Sequence, residues 1–176
     1  MVLLGCTPPD RNTEQHDIFF GIESSLEQLI PAIKAFWPEG RVHIDSWREV
    51  CHANGHKIII KPRTNSANTI AEPLKLYFIN LGGYKPADME EYHYKMVVAA
   101  ADMGEAVRMS KQTAFYMHTG IPGGPSHIDD KFGIDVDDTY EISELLSAHD
   151  KTAFSIHLIQ EEDQVEDELH IGYVKL

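Results

Sequence analysis

Two short segments of the sequence place a histidine two residues from a carboxylate, and each segment has a similar segment further along the chain. On a β-strand, residues i and i+2 point to the same face, so each segment presents an imidazole beside a carboxylate. If the two strands of one copy are close neighbours, that copy gathers one Glu, one Asp and two His. The first copy supplies Glu14, His16, His43 and Asp45, and the second supplies Glu91, His93, His127 and Asp129.

Imidazole and carboxylate groups together support three roles. They can ligate zinc, manganese or iron, they can relay protons because histidine titrates near neutrality, or they can satisfy hydrogen bonds that the fold needs. The sequence contains no HExxH motif, no CxxC pair and no other spacing specific to a metal site. We therefore expect a structural role with no metal and no other cofactor, keep the eight residues as candidate binding residues, and assign no catalytic residue.

The apolar residues after Glu14 bear on which face of the strand it occupies. Ile18, Phe20 and Ile22 are in phase with Glu14 and His16, and apolar side chains favour the face that a helix covers. The pattern predicts that Glu14 and His16 point toward the core, where buried charges need partners. We expect both to be hydrogen-bonded within their own half of the chain, to loop backbone or to a facing polar side chain.

An internal repeat predicts the elements that position these residues. When the sequence is displaced by 77 residues, Gly5 aligns with Gly82, and Glu14 and His16 then align with Glu91 and His93 in the same order. The displacement grows to 84 for the second His and Asp because of an insertion centred on the Gly- and Pro-rich residues 119–125, which predict a loop. Each copy reads as strand, strand, helix, strand, strand. In the second copy the helix begins at Asp102, which has capping-box spacing to Glu105.

The predicted fold class is α+β, with two repeated ββαββ modules of the ubiquitin-like roll type, mainly antiparallel sheets and a C-terminal β-hairpin. An apolar i, i+3, i+4 stripe over residues 26–37 predicts the first helix, and the dipeptide Asn54-Gly55 predicts a tight turn. Strand-like residues 153–160 and 169–176 flank an acidic tip at 161–168. The predicted domains are residues 1–61, a linker at 62–73, residues 74–146, and the hairpin extension at 147–176.

Composition limits the class of protein. The 15 Lys and Arg against 28 Asp and Glu give a net charge of −13, which disfavours binding to nucleic acid or to an anionic membrane. Hydrophobic residues make up 43% of the chain, which is ordinary for a globular protein. Cys6 and Cys51 form no disulfide framework, and no signal peptide is visible. We therefore expect a soluble cytoplasmic protein with free thiols.

The segments GCTPPDRNTEQHDIFFGI and AFWPEGRVHIDSWREV resemble the bacterial family described as domain of unknown function 1543. The resemblance is close over residues 3–60, and the two-copy form of the family extends it to about residue 142. It implies a bacterial origin and supports the repeat. The family has no assigned activity, so the resemblance supplies no catalytic residue.

Two function classes follow. The first is a non-enzymatic binding or interaction protein built by internal duplication, whose partner is a small molecule or a protein. The alternative is a small-molecule enzyme that uses the repeated Glu, His, His and Asp residues as acids and bases or as metal ligands. Half-exposed sheet edges also favour side-by-side pairing, either of the two modules or of two chains as a homodimer. A structure that shows whether the four polar residues of one copy converge separates these classes best.

Overall fold

The computed structural model describes residues 1–63, 73–84, 89–118, 135–161 and 166–176. The chain divides into two compact units: unit 1 comprises Met1–Ser66 and Leu145–Leu176, and unit 2 comprises Ala67–Glu144. In chain order the elements are β1 (Val2–Cys6), β2 (Gln15–Phe19), α1 (Leu26–Phe36), β3 (His43–Trp47), β4 (His52–Ala53), β5 (His56–Pro62), β6 (Lys75–Tyr84), β7 (Glu91–Ala100), α2 (Met103–His118), β8 (Asp135–Glu141), α3 (Ile142–Leu145), α4 (Ala148–Ala153), β9 (Phe154–Gln160) and β10 (His170–Lys175).

The strands form three sheets. Unit 1 contains one sheet of order β10-β3-β1-β2 and another of order β4-β5-β9, and unit 2 contains a sheet of order β7-β6-β8. Every pairing between described strands is antiparallel, so the predicted α+β class with mainly antiparallel sheets is confirmed. None of the helices in the described ranges combines the length and the apolar character that a membrane span requires.

The core of unit 1 lies between α1 and the sheet that contains β1. Alternate residues of β1, Val2, Leu4 and Cys6, are buried, and they pack in one cluster with Ile33 of α1 and Ile44 of β3. Each aliphatic side chain that is fully buried in this way contributes roughly 1.5–3 kcal/mol. Because side chains alternate along a strand, the same register turns Gly5 to the opposite face of the sheet.

Unit 2 packs α2 against β6 and β7. The predicted capping box forms in part at the start of α2: Asp102 Oδ1 accepts from the Glu105 backbone N–H at 2.8 Å, whereas Glu105 Oε2 accepts at 2.9 Å from the N–H of Ala101 and not from that of Asp102. Tyr77, Ile79 and Leu81 of β6 are buried in the core of this unit. The alternation turns Asn80 and Gly82 to the other face, as it does Gly5 in unit 1. The loop predicted at 119–125 lies outside the described residues.

Two sequence predictions about the strands meet different outcomes. The Asn54-Gly55 turn is confirmed: both residues have positive φ, 33° and 82°, and they connect β4 to β5. The prediction of a C-terminal hairpin is wrong, because β9 pairs with β5 whereas β10 pairs with β3. Each of these two strands occupies an edge of a different sheet of unit 1. The second half of the predicted first ββαββ module is also divided, because β3 and β5 belong to different sheets. Strand propensity predicts that a strand forms, but not which edge it joins.

Candidate functional site

The four candidate residues of the first copy converge in unit 1. Gly5 at the centre of the sheet pairs with His16 on β2 and with His43 on β3, so both imidazoles rise from strands that flank the same glycine. Glu14 immediately precedes β2, and Asp45 lies two residues beyond His43 on β3. We call this set, which consists of Glu14, His16, His43 and Asp45 around Gly5, the Gly5 cluster.

Both histidines of the Gly5 cluster point Nε2 between the two carboxylates. His43 Nε2 lies 3.2 Å from Glu14 Oε1 and 3.1 Å from Asp45 Oδ1. His16 Nε2 lies 3.6 Å from Glu14 Oε2 and 3.3 Å from Asp45 Oδ2. Each carboxylate therefore turns one oxygen to each imidazole.

A glycine is required at position 5 for this convergence. A Cβ added to Gly5 would overlap His43 Nε2 and would lie 2.8 Å from Asp45 Oδ2. Any larger residue at this position would therefore displace the side chains that meet above it. The glycine thus provides the space in which residues from strands on either side of β1 reach each other.

A β-bulge places Asp45 in the cluster. Leu4 pairs with Ile44, but Leu3 pairs with Ser46, so Asp45 is the extra residue of β3. Bulges locally redirect side chains and are enriched beside functional sites. Here the extra residue brings its carboxylate over β1, beside His43, while Ile44 remains in the core.

The predicted orientation of Glu14 and His16 is wrong. His16 pairs with Gly5, on the face opposite the buried Leu4 and Cys6, and the side chains of Glu14 and His16 are 41% and 46% exposed. Phe19, one residue out of phase with His16, pairs with Val2 and packs into the core instead of Ile18. The phase argument failed because it assigned the wrong apolar residue to the core.

The floor of the cluster is buried. His43 is only 5% exposed, and its ring lies against the Tyr173 ring of β10 with the centroids 4.3 Å apart. Asp45 Oδ2 is buried and has no hydrogen-bond partner among the described residues. Sequence reasoning missed both Tyr173, because β10 was expected in a hairpin, and the function of Gly5, although the Gly5 and Gly82 match was a usable signal.

Cys6 is excluded from the cluster. It lies on the core face of β1, and its thiol donates to the Glu39 carbonyl at 3.0 Å. Burial raises the pKa of the Cys6 thiol, and the nearby Glu14 charge acts in the same direction. Both cysteines are free thiols in this structure. The ligand chemistry of the cluster is therefore limited to imidazole and carboxylate.

Unit 2 contains a related set, which we call the Gly82 cluster: Glu91, His93 and Asp137. Ligand atoms of these three residues lie within 4.8 Å of one another, and His93 Nε2 is 3.2 Å from Asp137 Oδ2. Gly82 pairs with His93 on one side, and a Cβ at Gly82 would overlap the Asp137 carboxylate. Glu91 and His93 therefore lie beside Asp137, a carboxylate that the sequence analysis did not select.

The other two candidates of the second copy, His127 and Asp129, lie outside the described residues. The strand register instead places Asp135 opposite Gly82, where His43 stands opposite Gly5. Asp137 is the extra residue of a bulge in β8, since Leu81 pairs with Val136 but Asn80 pairs with Asp138. Asp137 therefore occupies the place that Asp45 has in unit 1.

A third cluster was missed by the sequence analysis. Asp167 accepts the backbone N–H groups of Cys51 and His52 through Oδ2, at 2.8 and 3.1 Å, and its Oδ1 lies 2.9 Å from His52 Nδ1. The other ring nitrogen of His52 is 3.2 Å from Glu161 Oε2. Asp167 and Glu161 lie at opposite ends of the acidic stretch expected to be a solvated tip. Here Asp167 joins the C-terminal segment of unit 1 to β4.

The contacts within the Gly5 cluster bear on what the cluster can hold. Each imidazole Nε2 lies 3.1–3.6 Å from one oxygen of Glu14 and from one oxygen of Asp45, and neighbouring nitrogen and oxygen ligands of one ion are separated by roughly 3.3 Å. Hydrogen bonding alone fits less well, because one Nε2–H can donate to one carboxylate whereas each Nε2 faces two.

Comparisons with known proteins show what the chain is similar to. The model of the family described as Domain of Unknown Function (DUF1543) matches residues 11–60, the range that contains the four polar side chains of the Gly5 cluster. The crystal structure of a protein Il1583 from Idiomarina loihiensis is similar, with a TM-score of 0.60 and 23% identity over 99% of this chain and 94% of that chain. This likeness concerns the fold. A comparison with curated proteins found no match.

Proposed function

We propose that the protein, whose residues 11–60 match the model of a domain family of unknown function, is a non-enzymatic binding protein whose Gly5 cluster holds a divalent transition-metal ion. The convergence of two imidazoles and two carboxylates above one glycine carries this proposal. Their sequence spacing alone favoured a structural role without metal. The spatial arrangement favours a metal site over that structural role, because the four side chains meet in space although their spacing in the sequence matches no metal-binding motif.

The donor set favours zinc or a similar ion. Two imidazole nitrogens with carboxylate oxygens suit zinc, iron and nickel, whereas calcium and magnesium prefer sites built from oxygen alone. The Tyr173 ring against His43 restricts the imidazole and excludes water from one side of the cluster. Such support keeps a ligand oriented before the ion arrives.

A closed site also favours binding over catalysis. Catalytic zinc sites have three protein ligands and leave one position for water or substrate, whereas structural sites fill four positions with side chains. The Gly5 cluster offers four side chains. The enzyme alternative therefore needs one of the two exposed residues, Glu14 or His16, to leave the ion.

The broader proposal keeps the features that the sequence favoured. The chain arose by internal duplication, and the matching positions of Gly5 and Gly82, of His16 and His93, and of Asp45 and Asp137 support that origin. We further propose a bacterial, cytoplasmic protein with no affinity for nucleic acid or membranes. Its further partner is a small molecule, a protein or a second copy of the chain.

Gly5→Ala tests the metal site without removing a ligand. Position 5 has no positive φ, so the backbone accepts alanine, but the added methyl group displaces His43 Nε2. The metal-free full chain is titrated with Co²⁺ and followed by visible absorption, which distinguishes tetrahedral from octahedral coordination. We expect wild type to give a tetrahedral spectrum, His149→Ala to match it, and Gly5→Ala and His43→Ala to lose it.

The control residue His149 lies in α4 and is exposed, so its removal subtracts one histidine without touching the cluster. Circular dichroism verifies that each variant is folded. A wild-type protein without the tetrahedral spectrum, or a folded Gly5→Ala variant that retains it, would overturn the proposal.

A further inference from the structure

We propose that the Gly82 cluster is a second, more open cation site, which takes a harder divalent ion such as Mn²⁺ with water completing its coordination. The proposal goes beyond the Gly5 cluster and does not depend on it. It rests on the donor atoms of Glu91, His93 and Asp137, on the glycine beneath them and on an unsatisfied amide oxygen on the same face of the sheet.

The three donor atoms are close enough to share one ion. They all lie within 4.8 Å of one another, which spans the distance between ligands on opposite sides of an octahedral ion. The His93 and Asp137 side chains are 35% and 29% exposed. An ion at this position would therefore be in contact with water, and a site with three protein ligands needs water to reach six-fold coordination.

The glycine and the bulge are not explained by the core of unit 2. The core is formed by residues on the other face of β6, such as Ile79 and Leu81. On the open face, the Asp137 carboxylate lies directly above Gly82, where any Cβ would overlap it. The strand thus leaves space for a carboxylate that the fold itself does not need.

Asn80 supplies an independent observation. It lies on the same face as Gly82, two residues away, and its amide nitrogen donates to Asp138 Oδ2 at 3.2 Å. Its Oδ1 is buried and has no hydrogen-bond partner among the described residues. A buried acceptor without a donor costs roughly 1–3 kcal/mol. A water molecule bound to the proposed ion would satisfy this oxygen.

The chemistry of the donor set predicts a different preference from that of the Gly5 cluster. Strand register puts an aspartate, Asp135, where unit 1 has His43. The Gly82 cluster contains one imidazole and two carboxylates, whereas the Gly5 cluster contains two of each. Oxygen-rich sites suit Mn²⁺ and Mg²⁺, whereas imidazole-rich sites suit zinc.

The competing explanation is an ordinary surface ion pair between His93 and Asp137. Such pairs contribute about 0–1 kcal/mol and need no cation. An ion pair would give no selective affinity for Mn²⁺. The two explanations therefore differ in what a Gly82 variant does to metal binding.

The experiment is a Mn²⁺ titration of the metal-free full chain, with free Mn²⁺ measured by electron paramagnetic resonance. Wild type, Gly82→Ala, Asp137→Asn and Gly5→Ala are compared. We expect wild type and Gly5→Ala to bind one Mn²⁺ with equal affinity, and both unit 2 variants to bind it at least about tenfold more weakly. Circular dichroism checks the fold of all four proteins.

The outcomes separate the two sites. Retention of the Mn²⁺ site in Gly5→Ala shows that it is independent of the first cluster, whichever way the Co²⁺ experiment ends. If Gly82→Ala and Asp137→Asn bind Mn²⁺ as wild type does, or if wild type binds none at millimolar concentration, the site does not exist. If Gly5→Ala alone loses Mn²⁺, the ion belongs to unit 1 and the assignment to unit 2 is wrong.

Discussion

Replacing Asp167 by Ala is expected to destabilise unit 1 by removing a buried hydrogen-bond acceptor. Asp167 is nearly buried, with its side chain 7% exposed. One of its oxygens accepts two backbone N–H groups, from Cys51 and His52, and the other lies 2.9 Å from His52 Nδ1. Alanine leaves all three donors without this acceptor.

The magnitude follows from the two backbone bonds. A hydrogen bond to a charged acceptor contributes about 1.5–3 kcal/mol, and a donor left unsatisfied in a buried place costs a similar amount. Two such bonds at the lower limit give a loss of about 3 kcal/mol for Asp167→Ala. Asp167→Asn keeps one oxygen for the backbone donors, so its loss is about 1 kcal/mol.

Urea denaturation followed by tryptophan fluorescence measures the loss of stability in unit 1 specifically. The chain has two tryptophans, Trp37 and Trp47, and both belong to unit 1. The fluorescence transition therefore reports unit 1, while circular dichroism follows the whole chain. A lower midpoint with an unchanged slope shows a loss of stability rather than a change in the denatured state.

Glu168→Ala is the matched control. Glu168 is adjacent to Asp167 but is 82% exposed, and it only approaches His170 Nδ1 at 3.9 Å. Exposed pairs of this kind contribute at most about 1 kcal/mol, so the control should differ little from wild type. If Asp167→Ala unfolds at the same urea concentration as Glu168→Ala, the reasoning from buried donors is refuted.

Three further outcomes are expected. In the folded protein Cys6 should react with iodoacetamide more slowly than Cys51 at pH 7.5. Burial raises the pKa of both thiols, but Cys6 is in addition fully buried. Mass spectrometry after timed alkylation measures both reaction rates, and equal rates would contradict the burial of Cys6. Burial acts to raise the pKa of Glu141, but the bonds from Lys75 and Ser143 hold it below 4.5. As the pH falls below 4.5, the Glu141 carboxyl therefore binds a proton in the unfolded chain before it does so in the folded protein. Glu141 contributes to folding stability above pH 4.5, and this contribution is lost as the pH falls through the lower pKa of the folded protein. Glu141→Gln should flatten this acid dependence in circular dichroism, and an unchanged profile argues against it. Asp102→Ala removes the cap of α2 and should cost unit 2 about 1 kcal/mol in urea denaturation, whereas a loss below 0.3 kcal/mol would show that the cap is dispensable.

The local predictions that succeeded depend on chemistry within a few residues. At the start of α2, Asp102 and Glu105 each satisfy a nearby N–H group, and only the bond that Asp102 accepts is the one that the capping box predicts. The turn at Asn54-Gly55 forms because both residues accept positive φ. The α+β class also follows from strand and helix patterns alone. These features need no knowledge of which distant segments meet.

The candidate residues were predicted better than their orientation. Glu14, His16, His43 and Asp45 were chosen by type and spacing, and all four meet. Their face was predicted wrongly, because the helix-covered face depends on whether Ile18 or Phe19 enters the core. A strand pattern with apolar residues in both phases leaves that choice to packing.

The amino-acid sequence by itself determined the ligand types, the glycine at position 5 and the strands that carry them. The tertiary structure alone decided that β1 lies between β2 and β3, so that Gly5 faces a histidine on each side. It also decided that β10 covers His43 instead of forming a hairpin with β9. Strand order and bulges arise from competition among all edges and faces of the sheets, and this competition is not encoded in any local stretch of the chain.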